Sequence, residues 1–82
     1  MRKSKPVAYC ENKIMTTERS SLYRQLEEAP IKRIECEFMK DIADGMQYKE
    51  LAEKYNKSKS RIGKWKREVC TKLLRYDMQR LC

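Results

Sequence analysis

The chain has no histidine, and only two glycines, two prolines, one tryptophan and one phenylalanine. Without histidine it lacks the side chain that most often moves protons near neutral pH and most often ligates metals. No glycine-rich loop is present to cradle a phosphate, and no nucleophile stands beside an evident base. Cys10, Cys36, Cys70 and Cys82 are separated by 25, 33 and 11 residues. No close C-x-x-C pair exists, so a structural zinc site is not expected. No apolar run approaches the roughly 20 residues of a membrane span, and none at the N-terminus resembles a signal peptide. These absences argue against an enzyme, a cofactor and a membrane partner. They also favour free thiols in a reducing cytoplasm. Glu27 with Glu28, and Glu35 with Glu37, are acid pairs of the solvated kind common on helices.

What is abundant is positive charge. Lys and Arg number 20 against 12 acids, for a net charge of +8 in 82 residues. The excess is uneven: residues 1–15 sum to +3, residues 16–44 to −2 and residues 45–82 to +7. Six cations and no acid lie between Lys57 and Arg67. A charge serving solubility alone would be dispersed, so this concentration points to a polyanionic partner. A chain this short makes one small domain that buries roughly 60–65% of its unfolded surface.

Residues 1–15 mix cations with Pro6 and are expected to form a flexible basic arm, either solvated or lying along a phosphate backbone or in a minor groove. Residues 16–82 are expected to be helical. Thr16 or Thr17 can cap a helix over residues 17–28 with Leu22, Tyr23 and Leu26 on its apolar edge, which Pro30 stops. Pro30 also suits the first turn of a helix over residues 31–44, with Ile31, Ile34, Phe38 and Ile42 on one face and Met39 beside them. Gly45 is its expected left-handed terminator.

Residues 47–67, QYKELAEKYNKSKSRIGKWKR, carry the functional signal. Tyr48, Leu51, Ala52 and Tyr55 make one face of a helix over residues 47–55. Asn56 tolerates positive φ and can turn the chain. Ser58 can cap the next helix, residues 58–80, in which Ile62, Trp65, Val69 and Leu73 form the buried stripe. Lys59, Ser60, Gly63, Lys64 and Arg67 are expected opposite, with Gly63 either neutral or allowing close approach to a nucleic-acid backbone. Cys70, Leu74, Met78 and Leu81 form a second stripe, to be covered by helix 17–28 or by a second copy of the chain. The fold class expected is all-α: a helix-turn-helix bundle of about four helices with a long C-terminal helix.

This segment resembles the helix-turn-helix of bacterial DNA-binding proteins. Ala52 falls on the small residue of that family, Asn56 on its turn glycine, Ser58 on its cap, and Ile62 and Trp65 on its buried recognition-helix positions. Widened to residues 30–74, the chain is most similar to sigma-factor region 4 and LuxR-type domains. Lys57 departs from the usual buried aliphatic residue, and Gln47 from the usual Ser or Thr cap.

The resemblance implies double-stranded DNA binding, with residues 58–67 in the major groove, in a small transcriptional regulator of phage or mobile-element type. Lys59, Ser60 and Lys64 are then expected at base edges, and Lys57, Ser58, Arg61, Lys66 and Arg67 at the DNA backbone. Two other roles share the fold. One is a sigma-region-4-like module that docks on RNA polymerase or another protein through its acidic helices. The other is a DNA-packaging or replication-origin subunit. A homodimer joined by the C-terminal helix would suit a palindromic site.

Overall fold

The computed structural model describes residues 4–81, except for the side chain of Leu81. Five helices run in order: α1, Lys5–Thr16; α2, Arg19–Glu28; α3, Arg33–Ala43; α4, Tyr48–Tyr55; and α5, Lys59–Leu81. The architecture is all-α with a long last helix, and no described helix is long and apolar enough to cross a membrane.

α1 corrects the expectation of a flexible arm over residues 1–15; Met1, Arg2 and Lys3 lie outside the described residues. Pro6 sits in its first turn, where the missing amide costs nothing. Cys10 is buried, Val7 and Ile14 pack against the core, and the helix lies along α5. Tyr9 and Lys13 both donate to the Asp77 carboxylate of α5. Cys10 thereby covers Cys70, the first member of the second stripe, in the place expected for helix 17–28 or a second copy. α2 packs chiefly on α3 instead.

The two threonines expected to begin α2 end α1. Thr16 Oγ1 donates to the Asn12 carbonyl at 2.9 Å, and Thr17 is extended with its amide on the Lys13 carbonyl. Leu22 and Leu26 bury the inner face of α2, and extended Ala29 before Pro30 ends it. Pro30 does not enter α3. That helix starts at Arg33 because the Glu35 carboxylate accepts from the Lys32 amide at 2.9 Å, satisfying one orphan donor of the first turn.

The inner face of α3 is turned by one position from the expected one. Glu35, Phe38, Met39 and Ala43 are buried, whereas Ile34 is 48% exposed. An acid holds an inner position because its second oxygen accepts from Lys72 of α5 at 2.8 Å, so the buried charge is paired. Gly45 ends α3 at φ +94° as expected.

α4 presents Leu51, fully buried, and half-buried Ala52 and Tyr55. Asn56 follows in the left-handed region at φ 54° and ψ 51°. The Lys57 amide reaches back to the Ala52 carbonyl at 3.0 Å, closing the Schellman pattern that reverses the chain. Ser58 Oγ then accepts from the Arg61 amide at 3.2 Å, capping α5. Phe38, Met39, Leu51, Ile62, Val69 and Cys70 are the largest fully buried side chains, so the core lies where α3 and α4 meet α5.

Candidate nucleic-acid interface

The first turns of α5 are held by aromatic packing beneath them. Trp65 stacks on Phe38 with centroids 4.0 Å apart, and the Tyr55 ring stands edge-on to both, at 5.2 Å from Trp65 and 5.6 Å from Phe38. Such pairs add about 0.5–1.5 kcal/mol beyond the area they bury. Tyr55 donates its hydroxyl to Asp41 at 2.6 Å, and burial together with that carboxylate pushes the phenol well above its ordinary pKa. α3, α4 and α5 are thus fastened to one another directly behind the basic segment.

Seven of the eight expected contact residues are exposed: Lys57, Ser58, Lys59, Ser60, Arg61, Lys64 and Arg67. Their arrangement divides the expected base readers. At 100° per residue, Ser60 and Lys64 lie about 40° apart, whereas Lys59 lies about 140° round the helix from Lys64. Ser60 and Lys64 share the outer face with Arg67; Lys59 and Arg61 flank it in the first turn. The Lys57 ammonium sits 5.4 Å from the Trp65 ring centroid, a cation–π contact that holds this lysine against the aromatic block.

The eighth residue is a correction. Lys66, expected at the DNA backbone, is 6% exposed and ion-paired to Glu11 of α1 at 3.0 Å, with its ammonium 5.5 Å from the Tyr48 ring centroid. Burial works against the charged amine, but Glu11 outweighs it, and the pKa stays above the usual lysine value. Lys66 belongs to the core-facing stripe of α5, one residue past Trp65. Gly63 likewise does not stand opposite the core: it is half-buried against Tyr48.

The remaining charges are sorted in a way that composition conceals. Among the described residues, Lys13, Arg19, Lys40, Lys54, Lys66 and Lys72 all lie in ion pairs. Lys57, Lys59, Arg61, Lys64, Arg67 and Arg75 have no ion pair among those residues. Several acids in and beside α2 and α3 are matched too, Glu27 by Lys40, Glu37 and Asp41 by Lys54, and Asp44 by Arg19, whereas Glu28 has no ion pair among the described residues. Lys5, Arg24, Lys32, Arg33, Lys49 and Arg80 also lack an ion pair among the described residues, so what sets the start of α5 apart is density: five exposed, unpaired cations, Lys57, Lys59, Arg61, Lys64 and Arg67, within 11 residues that hold no acid. Such a face offers ammonium, guanidinium and hydroxyl donors to phosphate oxygens and to acceptors on base edges.

Three features of this region escaped the sequence reading: α1, the Lys66–Glu11 pair and the Glu35–Lys72 pair. The spacing of Val7, Cys10 and Ile14 is the signal that could have revealed the first. No family model, curated protein or solved structure matches the chain.

Proposed function

We propose that the protein binds double-stranded DNA through the first three turns of α5, as a small transcriptional regulator of the helix-turn-helix kind. The observation that supports this is the concentration of charge at the start of α5, where Lys57, Lys59, Arg61, Lys64 and Arg67 are exposed, lack an ion pair among the described residues and have no acid among them. Ser60 and Lys64 are the base-reading residues; Lys57, Ser58, Lys59, Arg61 and Arg67 contact the DNA backbone. The capped, left-handed turn at Asn56 and the aromatic block under Trp65 hold the helix rigidly enough to read a groove.

The acidic surface of α2 and α3, which would serve docking on RNA polymerase or another protein, has Glu27, Glu37, Asp41 and Asp44 already matched by lysine or arginine. Duplex DNA is the better-supported partner. Binding to a 20-bp duplex, followed by fluorescence anisotropy across a salt series, tests this. With about four to five phosphate contacts, log K against log salt should fall with a slope of about −4. A slope near zero sinks the proposal.

A further inference from the structure

We infer that the DNA-contacting surface extends beyond the first three turns, along the outer face of α5 to Arg75, which contacts the phosphate backbone of the same duplex. The inference rests on the DNA-binding proposal above and adds a surface to it. Ser60, Lys64, Arg67, Thr71 and Arg75 recur at three- and four-residue steps, so one side of an unbroken helix carries them all.

The length of the track suits the task. Ser60 to Arg75 spans about 22 Å along the axis at 1.5 Å per residue. Arg67 to Arg75 spans about 12 Å along that axis, about two further turns of the same helix face, which carries the positive charge on past the first three turns toward the phosphate backbone of the same duplex. Arg75 is exposed and has no acidic partner among the described residues, whereas Lys72, three residues earlier and about 60° round the helix toward α3, is taken by Glu35. Thr71 Oγ1 bonds back to the Arg67 carbonyl at 2.8 Å and stays within the helix surface, leaving the space between the two arginines clear. Glu68 is the one acid beside the track.

Arg80 supplies the control. It lies about 140° round the helix from Arg75 and stacks its guanidinium 5.6 Å from the Tyr76 ring centroid, away from the track. Arg75→Gln and Arg80→Gln remove the same charge from opposite sides of one helix.

The experiment measures salt-dependent binding of both variants and of the wild-type chain to a preferred and a scrambled duplex, with thermal melting as a check on folding. Arg75→Gln should weaken both duplexes by the same factor and reduce the magnitude of the salt slope by about 1, while Arg80→Gln leaves the slope unchanged. Glu68→Gln, an independent probe of the same surface, should tighten binding to both duplexes. The inference is overturned if the two arginine variants have equal slopes, if Arg75→Gln alters sequence preference, or if Glu68→Gln has no effect. A wild-type chain without salt-dependent binding would instead sink the DNA-binding proposal itself, so the two failures are distinguishable.

Discussion

The Lys66 ammonium lies 3.0 Å from the Glu11 carboxylate, so a cation from the most basic stretch of the chain is spent holding the first helix to the last. Breaking one side of a buried pair costs more than replacing the pair's charge with an apolar group of similar shape. Glu11→Ala should therefore cost about 2 kcal/mol, because it strands an ammonium in a nearly closed site that only Glu11's own partial exposure relieves. Lys66→Met, which keeps the stem and removes the charge, should cost under about 1 kcal/mol. Urea unfolding of both variants decides the matter, and equal costs would show that the pair does not secure α1.

Lys64 and Arg67 should separate in their effects on recognition. Lys64→Ala is expected to lose about 1–3 kcal/mol on the preferred site and relax selectivity at particular base pairs. Arg67→Ala should weaken all duplexes alike. Selection from random duplexes with each variant gives the comparison, and uniform loss from both would remove Lys64 from the base edge.

Gly63→Ala should stabilise the protein. The added Cβ would lie 3.7 Å from Cε2 of Tyr48, an ordinary contact, and Gly63 has no positive φ to preserve. Removing glycine from a helix interior gains about 1 kcal/mol, worth about 4–8 °C in Tm for a domain of this size. DNA affinity should not change, since Gly63 faces Tyr48 rather than the outer track. A lowered Tm would mean the ring cannot accept the methyl group.

Stability should fall on both the acid and the alkaline side, with little change between pH 6 and 8, because no histidine titrates there. Burial opposes the ionised Asp77 and Glu35, but Lys13 and Tyr9 around Asp77, and Lys72 with the Lys32 amide at Glu35, hold both carboxyls below their ordinary values of 3.8 and 4.5. A depressed folded pKa contributes stability above the unfolded value and loses it as pH drops through the folded one. The acid loss should therefore begin near pH 4.5 and be smaller in Asp77→Asn. Tyr9, pushed up to about 12 by burial and Asp77, works in the opposite sense: its contribution holds below pH 10 and is lost as pH rises toward 12. Urea midpoints from pH 3 to 11, followed by circular dichroism, would expose an error in either sign.

Local signals made the α4–turn–α5 unit legible. Asn56 and Ser58 each act on backbone within a few residues of themselves, so their roles could be read without knowing what packs where. α1 depends on a partner 60 residues away at Cys70, and its stripe of Val7, Cys10 and Ile14 is diluted by lysines and an acid whose partners are equally remote. Lys66 and Glu35 escaped for a related reason. Each is a charged residue at a buried position, and a pattern that sorts residues into apolar and polar places both outside. Only the facing charges, Glu11 and Lys72, reveal why they are inside.

The single tryptophan lies against Phe38 and within 5.4 Å of the Lys57 ammonium. The chain therefore contains one indole emitter, placed between the packed interior and the face proposed to meet DNA. Its emission wavelength follows the polarity around a ring that unfolding would bring into water, while its intensity follows the position of the charge above it. A phosphate that draws Lys57 away would alter the second without the first. The protein carries its own optical probe, able to tell docking on the helix from loss of the helix without an attached dye.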